Sequence, residues 1–480
     1  MNQAHTTPLN LSAFSDRTYA VLGLGLSGLS AAAALQGAGA RVWAWDDSED
    51  RRAEAQAQGI APQDLMDRDL SDADALVLSP GIPHGHPHSH PMIERARDAG
   101  CEILCDLELL TRAEADARYV GITGTNGKST TTALIGHVLR ELGIANAIGG
   151  NIGAPGLSLP SLGRDGVYVL EISSYQLELM PRAVIDIALL LNITPDHLDR
   201  HGGMDGYVAA KRRIFRGQGP GQTAIVGIDD DASRSIHDDL SGVDGPVLVP
   251  VSTREACAGG VFVRDGWLID DRRGDGVRVV ELADLETLPG AHNAQNVAAA
   301  FAACSAVLGD ADASGNARIA GAIRTFPGLA HRQELVGHRV GVRFVNDSKA
   351  TNAEAAAHAL AAYENIYWIA GGIAKAGGIE SLAPMFGRVR HAFLIGQDAK
   401  MLAATLDDHV PVTMSGDLAT AVRDAAQAAA ADAAGNATVL LSPACASFDQ
   451  FASFEARGDA FRTAVEALDG FAAQGSGGTA

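Results

Sequence analysis

Between Tyr119 and Thr130 the chain reads YVGITGTNGKST, an apolar run that breaks into glycines, a lysine and hydroxyl residues. That order suits phosphate. Glycines let backbone amides approach phosphate oxygens, and a helix starting just beyond adds its positive end. Lys128 can reach the outer phosphates, and the hydroxyl of Ser129 or Thr130 can hold magnesium. The strict pattern GxxxxGK[ST] would put glycine at Ile122, so this is a variant loop with GTNGKS at its heart. A glycine-rich turn without a ligand is the alternative.

Other candidates lie downstream. Glu171 ends the apolar run GVYVLEI, where a carboxylate beside a phosphate loop can bind magnesium. NITPDHLDRHG supplies Asp196, His197 and Asp199, with a metal or phosphate role or a hydrogen-bonded loop histidine as readings for His197. Lys211, in YVAAKRRIF, reads by residue type alone as a solvated helix lysine. His84, His86, His88 and His90 alternate with small residues and proline; the pattern resembles a metal tract but fits a solvated loop better. Gly23, Gly25 and Gly28 form GxGxxG, with Asp46 eighteen residues past Gly28, the dinucleotide fingerprint. It suggests an NAD-dependent dehydrogenase, yet the turn selects a pyrophosphate, which a nucleotide sugar also carries.

The elements needed to position these groups are legible. TYAVLGLG, RVWAWDD and ALVLSPGI are strands around the helix LSGLSAAAALQGAGA. RYVGIT, GVYVLEI and IDIALLLNIT come next, then a Gly- and Asp-rich stretch from Gly217 to Gly290 with short β-like pieces, and the helix HNAQNVAAAFAACSAVLG. VRFVNDS, IYWIAGG, HAFLIG and ATVLLSP alternate with Ala-rich helices. Alternation of this kind predicts parallel α/β sheets. The boundaries predict three domains: 1–106, a Rossmann-like parallel sheet; 107–328, a central P-loop domain; and 329–480, a second Rossmann-like α/β domain. The tail AAQGSGGTA reads as disordered.

At 480 residues, with 47% hydrophobic and 20% charged, the chain can bury several cores. Lys plus Arg number 37 and Asp plus Glu 58, a formal charge of −21, which argues against general nucleic-acid binding. An anionic small substrate would need a local positive patch. The five cysteines, without zinc spacing, read as free thiols in a reducing cytosol. MNQAHTTPLNLSAF lacks the layout of a signal peptide, and no run of 18 apolar residues occurs. The expectation is a cytoplasmic protein.

GTNGKST, EISSYQLE, NITPDHLDRHG, AAK, GAHNAQN, HR, NDSKATN, AGG and LSPACASFDQF occur in that order. The set resembles the Mur ligase family, which adds amino acids to the peptidoglycan precursor, and the likeness runs from GLGLSG to DQFASFEARGDAF. It implies an ATP-dependent, ADP-forming ligase joining D-glutamate to UDP-N-acetylmuramoyl-L-alanine through an acyl phosphate, as a monomer. The DNPR motif of the family's diamino-acid ligase is absent. The resemblance implies that Leu26, Ser27, Asp46, Ser79 and Gly81 line a UDP-sugar site, with Asn151 and Gln176 near the same substrate. Gly124, Thr125, Asn126, Gly127, Lys128, Ser129 and Thr130 would cradle ATP, with Asn293, Asn296, Arg332 and Asp347. Ser129, Glu171, His197 and Lys211 would serve two magnesium sites, Lys211 as a carbamate, so that Lys128, His197 and Lys211 form the catalytic set. Lys349, Thr351, Lys375, Ser447, Phe448 and Phe454 would surround the amino acid. Ser48 departs from the basic residue expected in the uracil-side loop. A folylpolyglutamate-type ligase, another Mur enzyme, a nucleotide-sensing binding protein and the dehydrogenase remain as rival readings.

Overall fold

The computed structural model describes residues 7–242, 244–309, 312–375, 377–432 and 436–473. Two compact units emerge, Met1–Leu282 with Ala294–Arg324, and Ala283–Asn293 with Thr325–Ala480.

The first unit holds two sheets. In the smaller, β1 (Thr18–Leu22), β2 (Arg41–Trp45), β3 (Ala75–Leu78) and β4 (Glu102–Leu104) run parallel in the order β2-β1-β3-β4. β1 and β3 are buried along their whole length, as apolar central strands of a parallel sheet must be. Leu22 pairs with both Trp45 and Leu78, so Gly23, Asp46 and Ser79 emerge together at one sheet end. The chain reverses strand order at β1, the place where open α/β sheets bind ligands.

The larger sheet contains β5 (Arg118–Thr123), β6 (Asn146–Gly150), β7 (Val167–Glu171), β8 (Ile187–Leu190), β9 (Thr223–Gly227), β10 (Val247–Ser252), β11 (Val261–Arg264), β12 (Trp267–Asp270) and β13 (Val277–Glu281). Their order is β13-β12-β11-β10-β9-β8-β5-β7-β6. β5 lies between β7 and β8, with Ile122 opposite Glu171 and Thr123 opposite Leu190. The register therefore delivers the GTNGKS loop, Glu171 and the segment after β8 to one edge. The stretch from Gly217 to Gly290 is more regular than its composition suggests. It adds two further parallel strands, β9 and β10, the helix Asp231–Leu240 and the antiparallel β11-β12-β13.

The second unit is built on β14 (Glu334–Arg339), β15 (Val342–Asn346), β16 (Ile366–Gly371), β17 (Val389–Ile395), β18 (Val412–Gly416), β19 (Thr438–Leu441) and β20 (Ala472–Ala473). The order is β18-β17-β16-β19-β15-β14-β20, parallel from β18 to β15. Asn346 and Ile369 both pair with Leu441, so the segments after β15, β16 and β19 leave the sheet side by side. The tail is not wholly irregular: Ala472–Ala473 pair antiparallel with β14, and the rest of it lies outside the described residues. Among the described residues no helix is long and apolar enough to cross a membrane.

Candidate functional site

The loop after β5 is held from outside. Asn126 N–H donates to Asn192 Oδ1 at 2.8 Å and Thr125 N–H to Asn192 O at 2.9 Å. The Thr125 hydroxyl bonds Thr194 O and the Tyr207 hydroxyl, both at 3.1 Å. Gly127 caps the helix Lys128–Glu141 with φ +85°, and a Cβ there would collide with Asn296. The helix ladder begins with Thr131 N–H to Gly127 O, so the amides of Ser129 and Thr130 precede it and face the loop. Lys128 folds back over the loop, its Nζ donating to Gly124 O (2.9 Å) and Thr125 O (2.8 Å).

Lys211 is not a solvated helix lysine. It lies on the buried face of the helix Met204–Arg212, 2% exposed, with Nζ donating to Gly124 O at 2.8 Å and resting 4.6 Å from the Tyr207 ring centre. Burial, then the nearby Lys128 charge, depresses its ammonium to about 6, against which Asp196 and Glu171 act. At neutral pH this is largely a free amine.

Glu171 is 1% exposed. Its Oε1 accepts from Asn151 Nδ2 at 2.7 Å, and its buried Oε2 has no hydrogen-bond partner. A buried carboxylate oxygen left this way fits a cation, the kind of hard oxygen donor magnesium takes. His197 sits at φ +51° before the short helix Leu198–His201, half exposed, 3.4 Å from Asp196 and 5.4 Å from the Tyr175 ring. Gln176 is buried, and its Oε1 accepts the N–H and hydroxyl of Ser173 in a capping box.

At the β1 end, Asp46 closes the glycine turn. Its carboxylate accepts Leu24 N–H at 2.7 Å and Ser48 N–H at 2.9 Å. Ser79 donates its hydroxyl to Gly23 O at 2.8 Å, and a Cβ on Gly28 would strike Gly23 O. Leu26 is exposed, Ser27 half-buried and Gly81 exposed beside this turn. Ser48 caps the helix Glu49–Ala57, and the positive charge comes instead from Arg51, 3.7 Å from Asp46, and Arg52, which donates to Asp46 O.

In the second unit Asp347 is buried. It accepts from the Ser442 hydroxyl (2.7 Å) and Gln333 N–H (3.1 Å), and burial pushes its carboxyl up to about 7. Lys349 packs 4.0 Å from the Phe454 ring centre, with Thr351 half-buried two residues on. Ser447 is buried, whereas Phe448 and Lys375 are exposed. Asn293, in this unit, donates to Pro289 O; Asn296, in the first, accepts from the Thr131 hydroxyl at 3.2 Å. Arg332 is next to His331, whose Nδ1 lies 3.1 Å from Asn346 Nδ2.

Three family profiles match the chain in order: the Mur ligase MurD-like N-terminal domain at 17–105, the Mur ligase middle domain at 122–304, and the Mur ligase glutamate ligase domain at 331–445. The chain belongs to the Mur ligase family. Mur ligases use ATP and magnesium. Among curated Mur ligases, the UDP-N-acetylmuramoylalanine–D-glutamate ligase of Rhodospirillum rubrum is 52% identical over 461 residues, 95% of either chain. The enzyme of the same name from Caulobacter vibrioides is 50% identical over 465 residues, 95% of this chain and 97% of that one. Two solved Mur ligases share the fold. The UDP-N-acetylmuramate–alanine ligase MurC of Thermotoga maritima has a TM-score of 0.55 at 17% identity, covering 93% of this chain and 98% of that one. The MurF ligase of the same organism, solved with ADP, has a TM-score of 0.55 at 14% identity, covering 97% and 99%.

Several residues of this Mur ligase escaped sequence reasoning. Arg457 is 1% exposed and donates to the Ser348 hydroxyl (3.0 Å), Ser348 O (2.9 Å) and Cys445 O (3.0 Å), tying the loop of Lys349 to that of Ser447. Its signal was its place on the apolar stripe Phe454, Gly458, Phe461 and Val465. The histidine tract is also not a uniformly solvated loop. His86 and His88 are exposed, but His84 contacts Glu178 at 3.0 Å, and His90 accepts from Met92 N–H and meets Asp47 at 3.1 Å. No cluster of three metal-type ligands occurs among the described residues.

Proposed function

We propose that this chain is an ATP-dependent, ADP-forming ligase that adds D-glutamate to UDP-N-acetylmuramoyl-L-alanine in peptidoglycan precursor synthesis, acting in the cytoplasm as a monomer. The observation that carries this is the 52% identity to a relative of that name across 95% of both chains. The geometry supports it: Lys128 and Lys211 converge on Gly124 O, and Glu171, opposite Ile122 on the neighbouring strand, has an unpartnered buried oxygen.

The assigned parts fall in the three domains 1–106, 107–328 and 329–480. The turn at Gly23, with Leu26, Ser27, Asp46, Ser79 and Gly81, holds the uridine diphosphate; Asn151 and Gln176 lie along the same substrate. Residues Gly124 to Thr130 hold the triphosphate, with Asn293, Asn296, Arg332 and Asp347 toward the nucleotide. Ser129, Glu171, His197 and carbamylated Lys211 would hold two magnesium ions, which would neutralise charge on the transferring phosphoryl group. Lys349, Thr351, Lys375, Ser447, Phe448 and Phe454 receive D-glutamate.

The chemical difficulty is that both reactants are anions. Lys128 and the loop amides offset that repulsion while the substrate carboxylate takes the γ-phosphoryl group of ATP, releasing ADP. The amine of D-glutamate then attacks the acyl carbon, phosphate leaves and the amide forms. The decisive experiment is coupling of UDP-N-acetylmuramoyl-L-alanine to D- or L-glutamate with ADP release as the readout. ADP and ligated product with the D enantiomer are expected. Absence of ADP with both, or equal use of both, overturns the assignment.

A further inference from the structure

Glu178, at the end of the helix Ser174–Glu178, lies on a cavity of about 300 Å³ formed within the first unit. The rest of the lining is mainly cationic: Arg97, Arg200 and Arg213 contribute to it together with His84 and His201. None of these arginines belongs to the nucleotide loops. Glu178 is the only carboxylate in the lining among the described residues, and it is already engaged. His84 Nε2 stands 3.0 Å from its Oε2 and His201 Nδ1 3.6 Å. Burial works against its charge, but the nearby His201 ring and the hydrogen-bonded His84 prevail and hold its carboxyl down at about 2.

The arginines are not balanced in turn. Arg213 has no side-chain hydrogen-bond or ion-pair partner among the described residues, and its charge, after burial, helps depress the neighbouring Arg216. Arg200 forms no ion pair there either. Its guanidinium lies 4.8 Å from the Tyr175 ring centre, with a 3.5 Å bond to Gly81 O. Arg97 alone has a carboxylate, Glu94 at 2.7 Å, outside the lining, and a 2.7 Å bond to His84 O fixes its direction. In a chain of net charge −21, a concave surface with three guanidinium groups and one spent carboxylate is a local reversal of sign. Ser174, whose hydroxyl meets His201 Nε2 at 2.9 Å, is 3% exposed, so the cluster does not present a nucleophile.

We propose that this cavity is a separate anion site for a small multivalent oxyanion of the phosphate class. Planar guanidinium groups brought to one cavity from three chain segments suit tetrahedral oxyanions, which accept forked hydrogen bonds from more than one side. The site borders the nucleotide machinery without being part of it: the Tyr175 ring that stacks on His201 at 5.2 Å also meets His197 at 5.4 Å. Occupancy would therefore be felt beside His197.

Calorimetric titration of the full chain with sodium pyrophosphate tests this, at fixed ionic strength, without divalent ions and with ADP and UDP saturating. One saturable heat is expected, weakened tenfold or more in Arg213→Gln and in Arg200→Gln, partly restored in Arg200→Lys and unchanged in Lys128→Ala. Inorganic phosphate should compete if the natural occupant is free phosphate; competition by a phosphomonoester alone would point to a phosphorylated metabolite, with the oxyanion assignment intact in both cases. No saturable heat up to millimolar pyrophosphate overturns the proposal. So does heat that survives the Arg200→Gln, Arg213→Gln double variant, heat lost in Lys128→Ala, or binding of citrate in preference to either phosphate.

Discussion

Replacing Lys211 by alanine separates two accounts of a buried lysine. A carbamate forms only from the neutral amine, which attacks carbon dioxide and releases a proton. With the ammonium depressed to about 6, roughly 97% of Lys211 is neutral at pH 7.5, against roughly 0.1% for an ordinary lysine near 10.5, a gain of about a thousandfold in reactive amine. The carbamate would replace a positive charge beside Lys128 with a negative one near Glu171, the sign a divalent cation requires. We expect Lys211→Ala to lose about 100- to 1000-fold in ADP formation. Formate, acetate or propionate should restore part of it by occupying the vacated volume. Wild-type enzyme incubated with ¹³C-bicarbonate should show a carbamate carbon signal that fades as pH falls through about 6, where the amine protonates. Full activity in rigorously carbon-dioxide-free enzyme with no ¹³C adduct, or a Lys211→Ala variant that no small carboxylate rescues, would refute the reasoning.

Lys128→Ala should lower ADP release by about 100- to 1000-fold with the fold intact by circular dichroism, since one positioned cation is lost from the phosphate loop. Gly127→Ala should cost about 1–2 kcal/mol from the left-handed backbone alone and more from the clash with Asn296, read as a lower melting temperature and a raised KM for ATP. Asp347 has its folded pKa raised to about 7 above an unfolded value near 4, so the native state binds the extra proton and its stability declines as pH rises between those values. Asp347→Asn should then melt above wild type, with a gap that widens from about pH 4 to about pH 7 and stays level beyond, while ligase activity falls; equal melting at pH 4 and pH 8 would contradict the burial argument.

What could be read in the residues was what depends on neighbours in sequence. The apolar runs ending in Gly124 and Glu171 are strands because nothing polar interrupts them, and their ends are candidate sites because open parallel sheets bind ligands at the carboxyl ends of their strands. Lys211 and Arg457 were harder. Each occupies a position that helical spacing assigns to the interior, Lys211 beside Tyr207, Ala210 and Ile214, and Arg457 among Phe454, Gly458 and Phe461. Residue type pointed to solvent and periodicity to the core, and periodicity was right. The contact of His84 with Glu178 had no local signal, because it joins segments more than ninety residues apart, one following β3 and the other following β7. In the Gly217 to Gly290 region composition concealed regular order, since the glycines mark the turns between strands rather than the absence of strands.

The GxGxxG turn shows how far such a motif can be taken. The turn after β1 and the loop after β5 share one device, a strand at the point where sheet order reverses, running through glycines into a helix. That device specifies a phosphate group and nothing about what the phosphate is attached to. In the dehydrogenase reading Asp46 would be reserved for a ribose. Here both its oxygens accept backbone amides, from Leu24 and Ser48, so the carboxylate shapes the turn itself. The two loops differ in the side chains at the start of the helix that each one feeds. After Gly127 come an ammonium and two hydroxyls, groups that can grip and polarise a phosphoryl group in transfer; after Gly25 come Leu26 and Ser27, which can seat a diphosphate, and the cations near that turn, Arg51 and Arg52, are engaged with Asp46. On the proposed function, one turn geometry would serve binding at the first sheet and phosphoryl transfer at the second, with the side chains beyond the glycines deciding which.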